Sequence, residues 1–236
     1  CLGVNWSYEK RNGNYMDLLD KLGGWLIFFA ITCMWIYLTI KDYRDLNYYE
    51  KSILRKKYLE KRQALHSSKF EEESIQLVQN TIKLIKKYKP ECIHCFLPIH
   101  SKGEINTLPI IEYCWKNNIN VVIPISNFED GTLKNAEFRP ETKTKKTKNN
   151  ITEPIDPIWK KNDNIEIVIT PLLTFDPKGY RVGYGKGFYD RFFASLHKDV
   201  KRIGISLFKP CKGIEDISEQ DIPLTHCVTP NKTYSF

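Results

Sequence analysis

The chain lacks the marks of several protein classes. No segment repeats another at a fixed period, which excludes solenoids and propeller arrays. With 42% hydrophobic and 27% charged residues, it is neither wholly disordered nor collagen- or mucin-like. Its seven cysteines in 236 residues are irregularly spaced and make no disulfide scaffold. Cys92 and Cys95 form a C-x-x-C around His94, but no second pair completes a zinc site. Strand alternation would also send the two thiols to opposite faces. Cys114, Cys211 and Cys227 are isolated. All five read as reduced, mostly buried thiols of a cytosolic-type domain. Catalytic signatures are missing too: there is no G-x-S-x-G elbow, no G-x-x-x-x-G-K-[ST] loop and no G-x-G-x-x-G.

What remains is basic. Lys and Arg number 36 against 28 for Asp and Glu, a net charge of +8. Such an excess suits nucleic acid, an anionic membrane or an acidic substrate. The joint richness in Lys, Asn and Ile also fits AT-rich coding, so charge alone assigns no partner.

Residues Leu22 to Ile40 read LGGWLIFFAITCMWIYLTI, 19 residues without a charge. That length is enough to span a bilayer. Lys10, Arg11 and Lys21 precede it, and a denser series from Lys41 to Lys61 follows. A membrane anchor at 22–40 would therefore leave the C-terminal part in the cytoplasm. Cys1 in place of Met reads as a fragment or an odd gene model, and the rival expectation is that residues 1–47 are a mistranslated intron or an upstream appendage foreign to the domain. Residues 48–236 are expected to form the domain itself, cytoplasmic with or without the anchor.

That domain reads as α/β. Helical character runs from Tyr48 to Leu65. Ser68 and Glu71 suggest a capping box for a helix with Ile75, Val78, Ile82 and Ile85 at helical spacing, stopped by Pro90. Apolar runs at 92–97, 121–125, 165–169 and 202–207 are expected as buried strands. Helices at 107–117 and from Tyr189 through Leu196 alternate with them, which argues for a three-layer α/β/α domain with a mostly parallel sheet. Lys134 to Asn150 carries six basic residues, Lys134, Arg139, Lys143, Lys145, Lys146 and Lys148, and two acids. Its low-complexity end reads as a solvated, mobile surface loop.

The most informative stretch is IEIVITPLLTFDPKGYRVGYGKGFYDRFF, residues 165–193. A buried strand leads into a loop with Gly179, Gly183, Gly185 and Gly187, and a helix follows. Glycines let backbone N–H groups approach a phosphate unobstructed, and a helix start adds positive potential. Arg181 and Lys186 add full charges. Asp190 supplies a carboxylate of the kind that holds Mg²⁺ against phosphates. Asp176, beside Pro177, organises the turn before Gly179. On the first helix Lys51, Arg55, Tyr58 and Arg62 share a face, by itself a solvated basic stripe.

PLLTFDPKGYRVGYGKGFYDRFF resembles the signature of the 5-formyltetrahydrofolate cyclo-ligase family, P-x-x-x-F-D-x-x-G-x-R-x-G-x-G-x-G-Y-Y-D. Three more pieces agree in order: KSILRKKYLEKRQAL, FLPIHSKGEINT and DIPLTHCVT. The resemblance covers about 48–229 and none of 1–47. It implies ATP- and Mg²⁺-dependent closure of 5-formyltetrahydrofolate to 5,10-methenyltetrahydrofolate through a phosphorylated imidate, on the architecture of sugar-phosphate isomerases and CoA transferases. ATP and the folate are the implied small-molecule partners; no specific nucleic acid is expected. Carried over residue by residue, ATP contacts fall on Lys51, Arg55, Arg181, Val182, Gly183, Tyr184, Gly185, Lys186, Gly187, Phe188 and Tyr189. Folate contacts fall on Leu97, Glu104, Tyr184, Gly185, Lys186, Gly187 and Phe188. Lys186 and Arg181 are the implied catalytic cations, and Asp190 and Asp221 the metal carboxylates.

Three departures stand out. Thr225 replaces a second aspartate, Asn149 and Asn150 replace an aromatic before Ile151, and Phe188 replaces the commoner tyrosine. Two rival readings are a non-catalytic binder of nucleic acid or anionic membrane, and a degenerate membrane-anchored scaffold.

Overall fold

The computed structural model describes residues 23, 29, 31–36, 49–147 and 150–236. The chain divides into two compact units, residues 1–47 and 48–236. In the first, residues 31–36 are helical. Among the described residues no helix is long and apolar enough to cross a membrane. Most of the expected 22–40 span lies outside the described residues, as do Tyr48, Lys148 and Asn149.

The second unit opens with α1, Lys51–Gln63, which buries Leu54, Tyr58 and Arg62, one residue every fourth position. The face expected to be a solvated basic stripe is therefore partly inside. α2, Ser67–Tyr88, buries Leu77, Val78, Thr81, Leu84 and Ile85, a stripe of helical period. Ile75, expected on that stripe, is exposed. The Ser68–Glu71 capping box does not form. His66 is the N-cap and its Nδ1 accepts from the Ser68 N–H, which puts Ser68 inside the first turn. Lys89 ends the helix in the left-handed region with φ 49°, just before Pro90.

Eight strands form the main sheet. In chain order its members are β1 (Cys92–Cys95), β2 (Asn120–Asn127), β3 (Thr132–Glu137), β6 (Trp159–Lys160), β7 (Ile167–Pro171), β10 (Lys201–Ile205), β11 (His226–Val228) and β12 (Thr233–Ser235). Their spatial order is β12-β11-β10-β7-β1-β2-β3-β6. The strands from β11 to β2 run parallel, as expected. Antiparallel strands close both edges, so the sheet is mixed.

Side chains of the central strands alternate between two cores. Ile93, Cys95, Ile167, Ile169, Ile203 and Ile205 pack with α2 and with α3, Leu108–Lys116. Cys92 and Val168 pack on the other face with Phe192 and Phe193 of α4, Phe188–Ala194. Cys92 and Cys95 thus do point to opposite faces. Each apolar strand is covered on both sides, which explains why these runs do not alternate in polarity.

The chain goes from β1 to β2 through α3, and from β7 to β10 on the other side of β1 through α4. β1 and β7 are neighbours, so connections diverge there. In open α/β sheets that divergence leaves a crevice at the strands' carboxyl ends.

The lysine-rich segment 134–150 is not one irregular loop. Its start is β3, where Asn135 and Ala136 are buried and paired with β2. Its end is β4, Thr144–Lys146, which forms an antiparallel ribbon with β5, Thr152–Pro154. Lys145 and Lys146 are exposed there.

Candidate active site

A cavity of about 390 Å³ opens at the carboxyl ends of β1, β2 and β7, lined there by Phe96, Leu97, Pro124, Ser126 and Pro171. Its other walls come from α1, the loop after β1, the loop after β2 and the segment before α4. Every site residue expected from the sequence lines it except Val182. Val182 is fully buried with Leu54, Tyr58 and Ile214, beneath the wall.

The glycine loop is built by a hairpin. β8 (Thr174–Phe175) pairs with β9 (Arg181–Val182) around a turn in which Asp176 Oδ1 accepts the N–H groups of Lys178 and Tyr180, each at 2.9 Å. Asp176 is thus a turn organiser. Gly179 belongs to this turn and packs against Phe236, away from the cavity. The cavity loop proper is 183–187. Gly185 (φ +86°) and Gly187 (φ +66°) occupy conformations that disfavour a side chain. A Cβ on Gly185 would stand 3.0 Å from the Arg55 guanidinium, whose Nε donates to Gly183 O at 2.9 Å. Arg55 lies along this backbone because the glycines leave room.

Lys186 projects from the same loop, exposed. Its ammonium has no hydrogen bond or ion pair with any described residue. The other cations at this end are committed. Arg181, only 7% exposed in its side chain, donates to Asp190 Oδ1 at 2.7 Å and to Ile222 O at 2.6 Å. It also stacks on Phe193. Lys51 Nζ pairs with Asp221 Oδ2, which also accepts from the Ser218 N–H at 2.6 Å. Although burial alone would raise it, Lys51 and Ser218 together hold the Asp221 carboxyl below the usual range. The side chains expected to face phosphate and metal thus form two ion pairs, joined where the Ile222 N–H donates to Asp190 Oδ1 at 3.2 Å.

Both carboxylates keep one oxygen, Asp190 Oδ2 and Asp221 Oδ1, outside these bonds. Two carboxylates facing one cavity, completed by phosphate oxygens, fit the donor set Mg²⁺ takes. Among the described residues no group of three or more His, Cys, Asp or Glu side chains is placed to hold a metal unaided.

The opposite end is apolar and dry. Glu104 is 7% exposed, and its Oε2 accepts the Ile99 N–H at 2.8 Å. Burial pushes its pKa up against the pull of that bond, Tyr184, Arg62 and Lys102. Tyr184, which also lines the cavity, has its own pKa raised, first by burial and then by the charge of the nearby Glu104. Lys102 sits 4.1 Å above the Tyr184 ring. Thr107, three residues beyond Glu104, is buried and donates its hydroxyl to Phe96 O at 2.6 Å. Leu97 lines the cavity floor.

Besides lining residues such as Phe96, Lys102 and Pro124, three residues that organise this region escaped the sequence reading. Phe128, on the loop after β2, meets Phe188 edge-on at 5.4 Å between ring centroids. Arg191 donates to Lys186 O at 2.6 Å and to Gly131 O at 2.7 Å, tying the two loops together. Arg62 lies beneath Tyr184. Only Arg62 left a trace in sequence, as the last member of the basic stripe.

In physical terms this is an α/β small-molecule site with one charged end and one dry, aromatic end. The chain belongs to the 5-formyltetrahydrofolate cyclo-ligase family, an enzyme family whose model matches residues 47–230. It is 31% identical over 144 residues to the 5-formyltetrahydrofolate cyclo-ligase of Escherichia coli K12, covering 57% of this chain and 76% of that one. A probable 5-formyltetrahydrofolate cyclo-ligase of Caenorhabditis elegans is 31% identical over 153 residues, covering 58% and 73%. Among solved structures, Aquifex aeolicus 5,10-methenyltetrahydrofolate synthetase superposes with a TM-score of 0.62 at 25% identity, covering 78% of this chain and 92% of that one. The Mycoplasma pneumoniae synthetase shares the fold, with a TM-score of 0.61 at 22% identity.

Proposed function

We propose that residues 48–236 are a catalytic domain that closes 5-formyltetrahydrofolate to 5,10-methenyltetrahydrofolate, with ATP going to ADP and phosphate. The observation that carries this reading is the single cavity joining the 183–187 glycine loop, with its unengaged Lys186, to the buried Glu104–Tyr184 pair. Family membership supports it.

The nucleotide's phosphates would lie over the glycine loop, near Lys51, Arg55 and Lys186. Asp190 and Asp221 would hold Mg²⁺, which offsets phosphate charge when bound. Arg181 acts at the same end by fixing Asp190. The pterin would occupy the dry end, where Glu104 accepts from its N–H edge and Leu97, Tyr184 and Phe188 pack on it.

In the reaction the formyl oxygen attacks the γ-phosphorus and the bond to the β-phosphate oxygen breaks, releasing ADP. N10 then attacks the phosphorylated formyl carbon, and as the ring closes the carbon–oxygen bond breaks and the N10 proton leaves with the phosphate. Such a transfer needs positioning and charge rather than a protein nucleophile. The protein's part is to align the two substrates and to place Lys186 where negative charge moves.

The test mixes purified protein with ATP, Mg²⁺ and 5-formyltetrahydrofolate and follows the methenyl chromophore. A folded protein that forms none overturns the proposal. A chain starting at Leu46 should keep full activity; an inactive but folded truncation would place residues 1–47 within the enzyme. A non-catalytic polyanion binder would instead show salt-dependent binding that survives loss of Lys186 and Asp190.

A further inference from the structure

Arg62 is the least expected residue near the site. It sits on the last full turn of α1 with only 7% of its surface exposed. A buried guanidinium needs partners for its five N–H groups. NH2 donates to Leu172 O at 2.6 Å and NH1 to the Tyr184 hydroxyl at 3.2 Å. Its Nε is buried without a partner.

The contact with Tyr184 sets a direction. A tyrosine oxygen that accepts from Arg62 presents its own O–H elsewhere, and Glu104 lies near enough for its charge to act on the phenol. Arg62 thus holds the phenol that stands beside the carboxylate. Gly103, with φ +61°, lets the backbone next to Glu104 pass over the Arg62 side chain, 3.4 Å from its Cδ to where a Cβ would be. Three chain segments far apart in sequence thus close on one buried carboxylate.

We propose that Arg62 is a positioning residue that keeps Glu104 aimed into the cavity by holding Tyr184 and the Gly103 backbone around it, and so sets the selectivity of the dry end for ligands that present N–H donors. Arg62 does not line the cavity, and it acts through its neighbours. The proposal rests on the functional reading above only for the ligand's identity.

The charges around Glu104 decide what Arg62 contributes. Arg62 faces it from α1, Lys102 from its own loop, Tyr184 from the glycine loop and Tyr189 from α4. Only Arg62 and Lys102 are cations, and Lys102 also stacks on the Tyr184 ring. Removing the Arg62 charge leaves a buried carboxylate with one cation fewer, so its protonation midpoint must rise. It also frees the Tyr184 hydroxyl to turn away.

The test uses Arg62→Met, Arg62→Lys and Tyr184→Phe in the full chain. The first readout needs no ligand: the ¹³C carboxyl resonance of Glu104, assigned by its loss in Glu104→Gln, is titrated with pH. The midpoint is expected to move upward in Arg62→Met, and less in Arg62→Lys. The second readout is steady-state kinetics. KM for the folate should rise roughly tenfold in Arg62→Met, about one lost charge-assisted bond, with KM for ATP within about twofold. The acidic limb of folate affinity should shift upward with the midpoint. Adding Tyr184→Phe to Arg62→Met should cost less than the two changes summed, since both remove the same Arg62–Tyr184 contact. An unmoved Glu104 midpoint in a folded variant overturns the proposal, and so does an equal loss for both substrates. If Arg62→Met fails to fold, Arg62→Lys and Tyr184→Phe carry the same comparison. Absence of turnover in the wild type would count against the cyclo-ligase reading alone, because the titration stands without it.

Discussion

The same central strands end in two cavities of nearly equal size. At their carboxyl ends lies the 390 Å³ site; at their amino ends lies a second of about 380 Å³, lined by Tyr88, Asp163, Glu166, His197, Asp199 and Lys201. Volume does not tell them apart. Their surroundings do. At the amino end the charges are solvated, and His197 and Asp199 face each other with side chains 76% and 89% exposed. At the carboxyl end Arg181 and Glu104 are almost dry, and every charge but Lys186 has a defined partner. A buried charge persists only where the fold supplies its bonds, so the costly arrangement marks the site.

The largest effect expected to sharpen this contrast is at Lys186. Lys186→Met should lower kcat by ~10²–10³-fold, the scale of removing one preorganised donor, with a smaller rise in KM for ATP. A folded variant with wild-type turnover would remove the glycine loop from phosphate chemistry.

Asp190→Asn comes next. Deleting the side chain would strand a nearly buried Arg181, which costs about 3–5 kcal/mol; asparagine keeps an acceptor and avoids that confusion. The Mg²⁺ concentration for half-maximal rate should rise about tenfold, as for one lost carboxylate ligand, and excess Mg²⁺ should restore part of the rate. Unchanged Mg²⁺ dependence would assign Asp190 to Arg181 alone.

A smaller effect concerns His94, midway along β1 between the cavities. It is completely buried with neither ring nitrogen hydrogen-bonded, against Phe192 at 4.7 Å and Tyr189 at 5.9 Å. Burial brings its pKa down from 6.5 to about 3. Between those values the unfolded chain binds a proton that the folded one refuses, so stability falls as pH drops through that window. His94→Leu should flatten the dependence of Tm on pH between 6.5 and 4. An equally steep acid loss in the variant would place the cause elsewhere.

The smallest effect belongs to the amino-end cavity. Glu166→Gln and Asp199→Asn should leave both KM values and kcat within about twofold, as for solvated surface charges. A tenfold loss from either would break the comparison.

How much was legible beforehand follows from where information sits along the chain. Arg181 to Asp190 are neighbours in sequence, so a local reading finds them together. Lys51, Glu104 and Asp221 required the family resemblance, because nothing local distinguishes them from surface charges. Arg62, Phe128 and Arg191 were missed as site residues: each matters through a partner far away in sequence, Tyr184, Phe188 or Gly131. The segment 134–150 was only half legible. Its described basic residues are exposed, as expected, yet β3 owes its order to pairing with β2, which the charge pattern does not reveal.

The sequence by itself determined the alternation of helices and buried strands, the turn held by Asp176 and the position of the glycine loop. These depend on backbone preference and hydrophobic period, which act over a few residues. Only the tertiary structure decided that Arg181 and Lys51 are tied to Asp190 and Asp221 while Lys186 stays unengaged, and that Arg62 is buried against Tyr184. Which charges pair depends on distance and dehydration, and both are properties of the folded chain.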